Sequence, residues 1–103
     1  MEIFKGTILG LGGTWMSGLA HLRIRDERRG EVTVHCDNGA TVRALESCFG
    51  NVIGEGHTIN NKDGGHIGRE VYYSTDNFGI LEAFTPVDDA NPEMVRIYEE
   101  EIP

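Results

Sequence analysis

The chain is short of positive charge, short of cysteine and without any long apolar run. Nine lysines and arginines stand against 17 aspartates and glutamates in 103 residues, a formal charge of −8. Taken alone, that balance argues against a nucleic-acid partner, because phosphate binding rests on clustered lysine and arginine. Two cysteines, Cys36 and Cys48, do not make the disulfide framework of a small secreted domain, so both are expected as buried free thiols. No segment approaches the roughly 18 apolar residues of a membrane span. The opening MEIFKGTILGLGG has neither the basic start nor the unbroken apolar stretch of a signal peptide. The expected setting is soluble and cytoplasmic, with no membrane partner.

What the chain does have is glycine, 14 residues of it, with 39% hydrophobic residues overall. Glycine lowers helix propensity and supplies the positive φ angles of tight turns, which favours short strands joined by many turns. A length of 103 residues suits one modest core. The expectation is a single all-β or β-rich domain.

Alternation supports it. Ile3, Lys5, Thr7 and Leu9 alternate with Phe4, Gly6, Ile8 and Gly10 in a first strand that runs into the glycines at 10–13, with Gly6 marking a bend or bulge. Trp15 and Met16 then stand among glycines in a loop. In a second strand, Leu19 to Asp26, Ala20, Leu22 and Ile24 face one way and His21, Arg23 and Arg25 the other. Arg28-Arg29-Gly30 turns the chain into a third strand, Glu31 to Cys36, with Val32, Val34 and Cys36 inward and Thr33 and His35 outward.

Asp37-Asn38-Gly39 reads in two ways. As a type I′ hairpin turn it makes Ala40 to Leu45 a strand. As a helix start it lets Asn38 or Thr41 cap a helix with Val42, Leu45, Cys48 and Phe49 on one face and Gly50 just past its end. Alanine, leucine, arginine and glutamate in the run favour a helix near residues 40–49. Asn51 to Gly68, with its NNKDGG cluster, reads as a long mobile loop with a brief strand at Val52-Ile53. Arg69 to Ser74 and Gly79 to Thr85 form a last hairpin about Thr75-Asp76-Asn77-Phe78, with Val71, Tyr73, Leu81 and Ala83 as core candidates.

The negative charge is concentrated at the end. Residues 88–103 carry −5 and the rest of the chain only −3. The expected division is a β-domain over 1–87 and an acidic, frayed tail over 88–103.

Three strands, a helix, a loop and a final hairpin resemble the OB-fold, a five-stranded Greek-key barrel with its helix between strands three and four. The resemblance covers about residues 3–86 and is one of architecture. On the hairpin reading, KGTILG followed by EVTVHCDNGATVRA resembles the small OB domains of the S1 and initiation-factor-one type, and VTVHCDNGATVRALESCF loosely resembles the first Sm motif. The OB resemblance implies single-stranded nucleic-acid binding on the face of strands two and three. By that analogy His21, Arg23, Arg25 and His35 form the binding row, and Trp15, Tyr72 and Phe78 in adjoining loops supply stacking rings. The competing reading of the row is a solvated strand face whose arginines pair with Glu31 or nearby acids. The ending from Tyr98 to Pro103 is similar to the acidic tip of bacterial single-stranded-DNA-binding proteins, without its closing Phe, which implies a protein partner for the tail.

No chemistry stands out beside this. Cys36, Cys48, His57 and His66 are zinc-ligand types, but no CxxC or HxxxH pair exists and no metal is expected. Ser17, Ser47 and Ser74 lack a nucleophile-elbow context, and Gly10, Gly12 and Gly13 do not make a phosphate loop. The expectation is a non-enzymatic, cofactor-free nucleic-acid-binding barrel of a phage or mobile-element accessory type. Its rival is a protein-interaction or assembly module, such as a homodimer.

Overall fold

A computed structural model describes residues 2–13 and 19–100. Five antiparallel strands form one sheet: β1 (Phe4–Gly12), β2 (Leu19–Asp26), β3 (Gly30–Asp37), β4 (Glu70–Thr75) and β5 (Leu81–Pro86), in the order β3-β2-β1-β4-β5. Helix α1 (Asn38–Phe49) follows β3 and helix α2 (Pro92–Glu100) ends the described chain. The sheet is not closed into the expected barrel; among the described residues an isolated parallel bridge, His35 to Ile80, links β3 to the residue just ahead of β5. The strand-rich fold with a short helix after the third strand is as the sequence reads.

Strand β1 corrects the sequence reading in one respect. It continues through the glycines to Gly12, and its irregularity falls between Ile8 and Gly10. Because that bulge inserts one residue, both Ile8 and Leu11 point into the core although they are three apart. Gly6 serves close packing: a Cβ there would meet Ile24 Cγ2 at 2.5 Å.

The Asn-Gly pair opens a helix. Asp37 caps it, its carboxylate accepting the Ala40 amide at 2.8 Å, in place of the expected Asn38 or Thr41. Gly50 closes it with φ 73° and donates to the Glu46 carbonyl. Val42 and Leu45 face the core, joining Leu22, Ile24, Val34 and Tyr73. Phe49 packs against that core at its margin. Cys48, expected inward, is exposed, whereas Cys36 is buried. Ala83 is likewise exposed, and Leu81 is partly buried against the core.

Two side-chain clamps hold the α1–β4 connection. The Glu46 carboxylate accepts the amides of Asn51, Val52 and Ile53 at 3.2, 2.7 and 3.0 Å. Asn61 exchanges two hydrogen bonds with the main chain of Leu11, standing in for a strand neighbour that β1 lacks there. Residues 51–68, expected as the mobile loop, are therefore tied to α1 and β1.

The expected frayed end is also helical. Tyr72 points away from the main core, since its neighbours Val71 and Tyr73 point into it, and Tyr72, Ile3 and Tyr98 form a second apolar cluster under α2. Arg28 lies 3.7 Å over the Tyr98 ring and donates to the Tyr98 carbonyl at 2.7 Å. Among the described residues no helix is long and apolar enough to cross a membrane.

Candidate functional site

The β2–β3 ladder runs without interruption from Leu19↔Asp37 to Asp26↔Gly30. Alternation along paired strands sends Ala20, Leu22 and Ile24 into the core with Val34 and Cys36. The intervening residues meet on the outer face: His21 opposite His35, Arg23 opposite Thr33 and Arg25 opposite Glu31. All six are exposed. Four of the sequence-derived candidates, His21, Arg23, Arg25 and His35, are thus brought together.

The contacts of the row include the Glu31 pairing that the solvated-face reading expects. Arg23 lies 3.7 Å from Glu31, with the side chains 51% and 58% exposed. An exposed pair at that distance is worth about 0–1 kcal/mol, so Glu31 holds Arg23 only weakly. Among the described residues no ion pair holds Arg25, whose neighbour across the ladder on β1 is Thr7.

The glycines of β1 shape the floor beside the row. Gly12 lies opposite His21 and Gly10 opposite Arg23. A Cβ on Gly12 would collide with the His21 ring, and one on Gly10 would lie 3.4 Å from Arg23 Nη2 and 3.5 Å from Asn61 Oδ1. The two side chains therefore rest over a strip of bare backbone.

Phe78 is 87% exposed. The β4–β5 turn holds its main chain in place: Asp76 Oδ1 accepts the Phe78 and Ile80 amides at 2.8 and 3.0 Å, and the Asp76 carbonyl accepts the Gly79 amide. The His35–Ile80 bridge puts this turn beside β3. Tyr72, expected as a stacking ring in a loop, is instead on β4 and 4% exposed beneath α2. Trp15 lies outside the described residues.

The four candidate zinc ligands do not meet. Cys36 faces the core, Cys48 faces solvent and His66 is buried next to Asn61, and among the described residues no three His, Cys, Asp or Glu side chains converge. Burial pushes the Cys36 thiol up, which makes it a weaker nucleophile and ligand.

Two polar groupings escaped the sequence reading. Asp26, Arg29 and Tyr73 form a hydrogen-bonded set between the β2–β3 turn and β4. Glu46, Asn61 and His66 hold the α1–β4 connection. The first had a local signal, an Asp two residues ahead of the turn Arg28-Arg29-Gly30. The second had none, because Asn61 reaches across 50 residues to Leu11. The chain matches no family model, no curated protein and no solved structure, so the site rests on its own geometry.

Proposed function

We propose that this chain is a non-enzymatic OB-like module that binds single-stranded nucleic acid across β2 and β3. The observation that carries the reading is the exposed cross-strand group of His21, Arg23, Arg25 and His35, with an 87% exposed phenylalanine on the turn bridged to β3 at Ile80. Arginines at strand spacing suit successive phosphates, and a ring presented on a tight turn suits a base. The strand order, the helix after β3 and the isolated bridge from β3 to Ile80, just ahead of β5, support a partly open barrel of the OB type. The formal charge of −8 sits largely elsewhere, in the segment that includes α2. We assign that acidic end, with Glu93, Glu99 and Glu100 exposed, to contacts with a protein partner.

Fluorescence titration of a labelled oligonucleotide tests the reading over a range of salt concentrations. Affinity should fall steeply with salt, and replacing Arg23 and Arg25 by alanine should reduce the log–log slope by about 1.4, at about 0.7 per phosphate contact on a single strand. An oligonucleotide that does not bind at low salt sinks it.

A second reading draws on Phe78 alone, since an exposed ring on a turn held at its main chain also fits an apolar pocket on a protein or on a second copy of this chain. Mass measurement by light scattering separates a second copy from the first reading. A dimer that becomes monomeric on Phe78→Ala favours assembly.

A further inference from the structure

His66 is wholly buried in the α1–β4 connection. Its partner fixes its tautomer. Asn61 Nδ2 donates to the Leu11 carbonyl at 2.8 Å while Asn61 Oδ1 accepts the Leu11 amide at 3.0 Å, so flipping the amide group loses both bonds. The same Oδ1 lies 3.1 Å from His66 Nε2. A carbonyl oxygen at that position requires Nε2 to carry the hydrogen, which leaves Nδ1 with a bare lone pair. Nδ1 is buried against Gly64 and has no hydrogen-bond partner among the described residues.

A neutral imidazole fits this site. An imidazolium keeps its Nε2 donor but adds a second N–H and a positive charge where no acceptor stands, and an unmatched buried charge is expelled or neutralised. We propose that His66 is an acid-released latch: a proton taken from solvent at Nδ1 drives the ring out, and Asn61 leaves Leu11 with it, freeing the stretch around Asn61 from β1 while Gly68 and Arg69 stay bonded to Ile8.

The surroundings set the direction. Burial holds His66 below the ordinary histidine range, and the Glu46 carboxylate on α1 pulls weakly the other way. Glu46 is already engaged by the amides of residues 51–53. From β1 the ring's partner Asn61 bonds to the Leu11 main chain and borders Gly10, where the Arg23 guanidinium is the neighbouring charged group, and His21 packs on Gly12 further along the strand. Within the connection Asn60, Asn61 and Gly64 do not titrate, and Lys62 and Asp63 are exposed. Arg69 is stacked 4.7 Å over Phe49. The folded state therefore binds the proton less readily than the unfolded chain, and the latch holds above about pH 6.5 and weakens as the pH falls below it. Asn61 also borders Gly10 beside Arg23, so release alters the edge of the β2 face; that consequence rests on the nucleic-acid reading, whereas the latch does not.

Amide hydrogen exchange on the full 15N-labelled chain tests the latch without any ligand. Corrected for intrinsic rates, protection of the Leu11 amide should fall about tenfold between pH 7.5 and 5.5, in step with titration of the His66 ring. His66→Gln offers a donor but takes no proton, and it should show equal protection at both pH values. His21→Gln should leave the wild-type fall intact. The latch is overturned by wild-type protection that does not change, by a fall that persists in His66→Gln, or by one that vanishes in His21→Gln. Should His66→Gln not fold, the wild-type and His21→Gln results decide the matter between them.

Discussion

The phenol of Tyr73 on β4 donates to Asp26 Oδ2 at the end of β2 at 2.5 Å, across 47 positions of sequence. Asp26 is 4% exposed, a position where a carboxylate is stable only if its oxygens are occupied. Arg29 Nη2 donates to Oδ2 at 3.2 Å and to the Tyr73 oxygen at 2.8 Å, and the amides of Arg28 and Arg29 donate to Oδ1 at 2.9 and 3.0 Å. Phe4 lies beneath the Arg29 guanidinium at 3.8 Å. The turn between β2 and β3 is thereby fixed to β4 and β1.

Removing one member should expose the dependence. Tyr73→Phe takes away a donor to a buried carboxylate and should cost about 1.5–3 kcal/mol, the usual range for a hydrogen bond to a charged group. Burial pushes Asp26 up, but the bonds from Tyr73, the two amides and Arg29 outweigh it and hold the carboxyl below its ordinary range. A lowered folded pKa gives stability that is present above the unfolded value of about 3.9 and is lost as the pH falls through the folded one. Urea unfolding should therefore show a gap between wild type and Asp26→Asn at pH 6 that narrows at pH 3. A gap of equal size at both would contradict the assignment.

Arg28 joins α2 to the rest of the fold. Its guanidinium meets the last turn of the helix, where a cation is favoured by the exposed carbonyls, and also covers the Tyr98 ring. Arg28→Ala should destabilise the docked helix by about 1–2 kcal/mol, and Arg28→Lys, which retains charge but not the flat stack, by less. Proteolysis at 92–100 under native conditions should quicken in that order. Equal rates in all three proteins would show that Ile3 and Tyr72 hold the helix without Arg28.

Glu46 provides a separate test on the α1–β4 connection. The amides of Ile53, Val52 and Asn51 hold its carboxyl below the ordinary glutamate range. Glu46→Ala leaves three amides without their acceptor and should lower Tm more than Glu46→Gln, which retains one carbonyl oxygen. The contribution is present above the unfolded value of about 4.3 and is lost as the pH falls through the lowered one. The difference in Tm between wild type and Glu46→Gln should therefore shrink in acid.

What the sequence disclosed follows the range of the interaction involved. The period of two in Leu19 to Cys36 was enough to place His21, Arg23, Arg25 and His35 on one face, because pairing strands of that pattern leave little choice of side. Helix α1 was legible in its composition and in Gly50, although its cap is Asp37. Cys48 misled because an apolar pattern at the end of a helix does not say where the face stops. The α1–β4 connection misled for another reason: asparagine, aspartate and glycine report turns, and Asn61 reveals nothing of Leu11 until β1 lies beside it. Tyr72 was misplaced because a helix within an acidic tail, read as solvated, supplied the apolar cover.

Gly12 lies under the outer face of β2 and β3. On β1 it lies opposite His21, whose ring occupies the space a Cβ would need. His21 is exposed and swings away by rotation about its own side-chain bonds, so Gly12→Ala should fold and unfold in urea close to wild type. Its ring, however, no longer rests on the strip beside Arg23. On the nucleic-acid reading, affinity for a labelled single strand should fall about threefold to tenfold, the loss of one contact's worth of binding. Gly10→Ala, whose Cβ would lie at an ordinary 3.4 Å from Arg23, should change it less. If Gly12→Ala binds as wild type while Arg23→Ala does not, His21 covers the strand backbone and takes no part in the site.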